Sequence, residues 1–128
     1  MKPWFRHTLI ATGTVNIAGA STFLPSNRLA RDVLGFPPDV APMYLWIVAS
    51  WTLGFGLAYL WLAFRQTDEP LFIAIGAFGK VSFVAILIVQ ALAGHIPPRA
   101  TLGGLWDLVV GTMFLVWLIR RHAVGTFP

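Results

Sequence analysis

The sequence predicts an all-α, polytopic membrane protein: an up-down bundle of four transmembrane helices with a short interfacial helix between helices 1 and 2. Three observations predict it. The 128 residues are 57% hydrophobic and 11% charged, with a mean hydropathy of +0.74, well outside the usual range of a soluble domain. The apolar residues fall into four runs, three of them about the twenty residues that a helix needs to cross a bilayer core. Most Lys and Arg stand at the ends of those runs. A single integral membrane domain over residues 1–128 accounts for the chain.

The first span, about residues 8–24, is shorter and more polar, with Thr12, Thr14, Asn16 and Ser21. Lys2, Arg6 and the later "AGAS" also resemble a secretory signal and its cleavage site. The Thr and Asn interruptions argue for a retained helix. The connection "PSNRLARDVLGFPPDVAP" follows. Ser26 or Asn27 can cap a helix over residues 26–34, and Gly35 can end it. Leu29, Val33 and Leu34 share one face, with Arg28, Arg31 and Asp32 opposite, so this helix should lie in the membrane interface.

The second span covers about residues 42–64. "RQTDEP" turns the chain, and Pro70 suits the first position of the third helix, about 71–94. "HIPPR" is an equally tight turn into the fourth, about 101–119, so helices two to four should run up and down. Lys2, Arg6, Arg65, Arg120 and Arg121 fall on one side, against Arg28, Arg31 and Arg99 on the other. This imbalance places both termini in the cytoplasm and the protein in the inner (cytoplasmic) membrane. Trp4, Trp46, Trp61, Trp106 and Trp117 lie near span ends, at the headgroup level.

The net charge of +4 is spread over segment ends. That suits anionic headgroups of the lipid bilayer and argues against a nucleic-acid partner. The absence of cysteine excludes disulfide shuttling and thiolate metal sites. Asp68 and Glu69 read as a solvated turn.

The polar residues inside the spans fall on small-residue faces. Gly76, Lys80, Phe83, Leu87, Gln90 and Gly94 recur at spacings of three and four on the third helix, with Gly79 beside them. Gly103, Asp107 and Gly111 form a stripe on the fourth, Ser50, Gly54 and Ala58 one on the second, and Thr12, Asn16 and Gly19 one on the first. Small residues let helix backbones approach, so these faces should meet inside the bundle.

Lys80 lies roughly 14 Å into its span and Asp107 roughly 9 Å in from the opposite side, at 1.5 Å per residue. In a core about 30 Å thick they are then separated axially by about 7 Å, a gap that a lysine stem largely closes. Three readings follow. Lys80 and Asp107 lock two helices together, with Asn16 and Gln90 adding hydrogen bonds, or the four line a pocket for a small ligand or a proton relay, or Lys80 snorkels toward the interface without a partner. His95, at the end of the third span, is a candidate axial ligand for a haem or chlorin, although an interfacial histidine is more often solvated. No metal constellation, phosphate loop or catalytic triad is legible.

The segments "LGFPP", "WTLGFGLAYL", "IGAFGKVSF" and "GGLWDLVVG", in that order and spacing, resemble the DoxX-like group of small four-helix bacterial membrane proteins and related uncharacterised families. That resemblance implies a quinone-linked setting and transfers no catalytic residue. The small multidrug transporters share size and helix count, but Asn16 stands nearest to the place of their essential glutamate and cannot titrate. Two function classes follow. One is a non-catalytic accessory subunit of a membrane complex, or a binder of a quinone- or lipid-like molecule, with other membrane subunits or a second copy as partners. The other is a small transporter or quinone-linked redox enzyme that uses a Lys80/Asp107 pocket.

Overall fold

Proline opens most of the long segments. Pro3, Pro42 and Pro70 are the first residues of α1 (Pro3–Ala20), α3 (Pro42–Arg65) and α4 (Pro70–Leu92), where a missing N–H leaves no bond unmade. Pro98 opens a 3₁₀ segment, Pro98–Gly104, that runs directly into α5 (Leu105–Ala123). A short 3₁₀ turn, Ser21–Phe23, and the helix α2 (Arg28–Leu34) complete the chain. The computed structural model describes residues 1–125, and every regular element among them is helical.

Three segments are long and apolar enough to cross a membrane: Pro42–Arg65, Pro70–Leu92 and Pro98–Ala123. Only 28% of each is buried within the chain, so most of their apolar surface is left for lipid. α1 has 18 residues and carries Arg6, His7 and Asn16, and it falls outside that group. It starts five residues earlier than the sequence expectation because Trp4 and Phe5 are packing residues. Phe5 is buried and stacks on Trp117 with ring centroids 4.4 Å apart.

The helices associate as two antiparallel pairs, α1 with α3 and α4 with α5. Arg6 Nε donates to the Ala63 carbonyl at one end of the first pair, and Asn16 lies beside Thr52 further along. Between those contacts Gly13 and Gly56 face each other. A buried cluster of Phe5, Leu9, Tyr59, Ile73, Val110 and Phe114 joins the two pairs near the end that carries the chain terminus. Beyond that cluster α3 and α4 diverge, although only residues 66–69 connect them.

The second helix presents a different face from the one expected. Gly54 has nothing within 4 Å of an added Cβ, and Gly79 on α4 likewise borders open space. The close approach on α3 is made by Gly56, on the opposite side of the helix. Ser50 and Thr52 do not need an interior position, because their hydroxyls donate to the Trp46 and Val48 carbonyls one turn back. Gly103 meets only Phe36, at 3.6 Å, and the tighter contact falls to Gly104, whose Cβ would lie 3.1 Å from Leu87. Gly76 and Gly111 do sit at close contacts. A Cβ on Gly76 would strike the Tyr59 hydroxyl, and one on Gly111 would lie 3.4 Å from the Lys80 Cβ.

α2 ends at Gly35, whose φ of 81° only glycine adopts easily, and the Phe36 N–H donates to the Arg31 carbonyl. Asn27 does not cap the helix; its amide donates to the Ser21 carbonyl instead. Leu29 and Val33 are exposed as expected. Arg31, expected on the polar face, is buried: its guanidinium donates to the carbonyls of Thr22, Leu24 and Pro25.

Candidate functional site

Lys80 lies at mid-length of α4 and is 6% exposed. Gly111 lets α5 run close to the lysine backbone, so the side chain extends along α5 toward its first turn. Asp107 occupies that turn. The Lys80 ammonium donates to Asp107 Oδ1 at 2.6 Å.

Two further groups surround the ammonium. Asn16 Oδ1, from α1, accepts a longer hydrogen bond at 3.5 Å, and the Tyr59 ring, from α3, lies 5.8 Å from Nζ. All four long helices therefore contribute to one polar centre. Such an ion pair is desolvated, and its attraction offsets that cost only when hydrogen bonds occupy the remaining valences. One turn along α1 from Asn16, the Thr12 hydroxyl oxygen is buried without a partner among the described residues.

The centre forms the floor of a groove of about 330 Å³ between the diverging α3 and α4. Its walls are apolar and largely aromatic, with Trp51, Phe55 and Tyr59 on one side and Ile75, Gly79 and Phe83 on the other. A second cavity of about 150 Å³ reaches Asn16 and Asp107 from the side of Phe36 and Trp106. Phe23, Thr52 and Phe83 border both spaces.

Of the sequence-predicted polar residues, Lys80, Asp107 and Asn16 come together. Gln90 does not join them. It lies ten residues further along α4, roughly 15 Å away, and its Oε1 is 2.8 Å from His95 Nδ1. His95 is exposed in the turn that follows α4. Among the described residues no cluster of three His, Asp or Glu could hold a metal.

Sequence reasoning missed the groove's walls. Trp51 is 67% exposed and lines the groove. Tyr59 was the legible signal: a phenol at mid-helix among apolar residues needs a polar neighbour. Comparison with protein-family models, curated proteins and solved structures gives no match for this chain.

Proposed function

We propose that this is a four-span membrane protein whose α3–α4 groove binds one small amphiphile, quinone- or lipid-like, without transforming it. The observation that carries the reading is the Lys80–Asp107 pair at 2.6 Å on the floor of an aromatic-walled groove. A structural lock alone requires no open space beside it. Pockets of this kind, mostly apolar with a few convergent polar groups, suit a ligand whose apolar part remains in lipid.

α1 serves as the fourth span in this reading. It lies antiparallel against α3, from Arg6 beside Ala63 to Asn16 beside Thr52, so it shares the depth of a helix long enough to cross. Its Thr8 and Thr14 hydroxyls donate back to the Trp4 and Ile10 carbonyls, which suits a dry surround. Both termini are then cytoplasmic, and α2 rests its exposed Leu29 and Val33 in the opposite interface. The resemblance to the DoxX-like group is compatible with such a ligand and adds no residue. An accessory role beside another membrane subunit fits a binder with no catalytic constellation.

A second reading, a small transporter, is favoured by the cavity that reaches Asp107 from the Phe36 side. A carboxylate approached from two sides can pass a ligand or proton on as well as hold it.

The test is extraction. Purification in mild detergent followed by mass spectrometry of the organic extract should return one amphiphile in near-stoichiometric amount. Gly79→Phe should lose it, because Gly79 lines the groove and its Cβ direction is open. Equal recovery from both proteins would show that the groove is not the site.

A further inference from the structure

The charges of the groove narrow the ligand class, an inference that rests on the binding reading above. Among the described residues that line the groove, only Lys80 and Asp107 ordinarily carry charge at neutral pH, and they sum to zero. A ligand of either sign would meet a like charge within the same pair.

The hydrogen-bond valences narrow it further. The ammonium has three protons. One goes to Asp107 Oδ1 and one to Asn16 Oδ1, and the Tyr59 ring covers part of the remainder. The carboxylate is less satisfied. Its Oδ1 takes the lysine, and no described residue donates to Oδ2. Asp107 keeps 22% of its side chain exposed, against 6% for Lys80. The exposed part of the carboxylate is thus the polar group that a donor entering the groove can reach.

We infer that the groove selects a neutral amphiphile whose polar head is a hydroxyl, a long-chain alcohol or phenol that donates to the Asp107 carboxylate while its apolar body lies along Trp51 and Phe55. A carbonyl-only head offers no proton to that oxygen. An ammonium head offers protons but brings a second positive charge beside Lys80. The ring faces of Trp51 and Phe55 accept a flat or extended apolar body.

The test uses one brominated alkyl chain carrying a hydroxyl, a methyl ketone or an ammonium, titrated into the full chain in phosphatidylcholine nanodiscs at pH 7. The readout is the saturable tryptophan quenching that disappears in Trp51→Phe. The wild-type protein should bind the alcohol at least about tenfold more tightly than either other probe, a difference of about 1.4 kcal/mol. In Lys80→Met the ammonium probe should overtake the alcohol, because the carboxylate is then uncompensated. In Asp107→Asn the alcohol should lose its advantage over the ketone.

The wild-type comparison decides even if a variant fails to fold. A ketone or ammonium probe that binds wild type as tightly as the alcohol overturns the hydroxyl assignment and leaves the groove a binding site. No saturable quenching by any probe overturns both.

Discussion

Gly13 of α1 and Gly56 of α3 meet backbone to backbone. A Cβ on either would lie 2.9 Å from the other's carbonyl oxygen. Such an approach maximises van der Waals packing between the two helices. It also fixes α1 against the helix that bears Thr52 and Tyr59, and thereby places Asn16 beside the lysine.

Gly56→Leu and Gly13→Leu should therefore each destabilise the protein in detergent by about 1–3 kcal/mol, the usual cost of overpacking. Gly54→Leu should be nearly neutral, since its Cβ direction is open. Thermal unfolding of the three variants checks this. Equal tolerance of leucine at positions 54 and 56 would contradict the assigned contact face.

The contrast between Gly54 and Gly56 shows what was legible in the sequence. The positions of the three long apolar helices follow from hydropathy, and the inward faces of α1 and α4 follow from residues that cannot satisfy themselves, Asn16 and Lys80. On α3 the same logic fails. Ser50 and Thr52 find acceptors on their own helix, so their position carries no information about the interior.

The depth of Asp107 illustrates a second limit. An α-helix from residue 101 puts it about 7 Å from Lys80 along the membrane normal. The last span instead begins at Pro98 with seven 3₁₀ residues. At about 2 Å per residue these carry Asp107 roughly 18 Å from that turn, the same distance as Lys80 from the end of α4. Apolar periodicity does not reveal a 3₁₀ start. The groove was equally hidden, because it arises from a divergence of α3 and α4 that no local pattern encodes.

Arg31 supplies a second prediction. Its guanidinium holds three carbonyls where the chain leaves α1, and hydrogen bonds to a charged group contribute about 1.5–3 kcal/mol each. Arg31→Met should lower stability by at least about 2 kcal/mol, read as a lower unfolding midpoint. Arg31→Lys should restore little, because an ammonium lacks the fork that reaches all three acceptors. Full recovery by lysine would show that charge alone is at work.

The proposed crossing of α1 makes a topological prediction. With four spans, cysteines replacing Lys2 and Thr67 should be shielded from a membrane-impermeant thiol reagent in intact cells, and one replacing Ala30 should react. With three spans, positions 2 and 30 share a side. Matching labels at 2 and 30, opposite to 67, would sink the fourth crossing.

The ion pair yields the most exacting prediction. A lone charge at mid-membrane costs about 2.5–3.5 kcal/mol on the insertion scale, and removing one partner of a buried pair typically costs about 3–5 kcal/mol. Asp107→Leu should cost more than Lys80→Met, because it leaves the more buried charge, 6% exposed against 22%, with only Asn16 and the Tyr59 ring for company. The double variant leaves no charge behind and should recover most of the loss, giving a coupling of at least about 1.5 kcal/mol between the sites. Thermal midpoints of the four proteins in one detergent measure it. The same proteins separate structure from function. A stable double variant that no longer retains the groove's ligand assigns the pair to binding, while one that retains it assigns the pair to helix locking. Strict additivity of the two single effects would mean that the 2.6 Å contact contributes nothing to the fold.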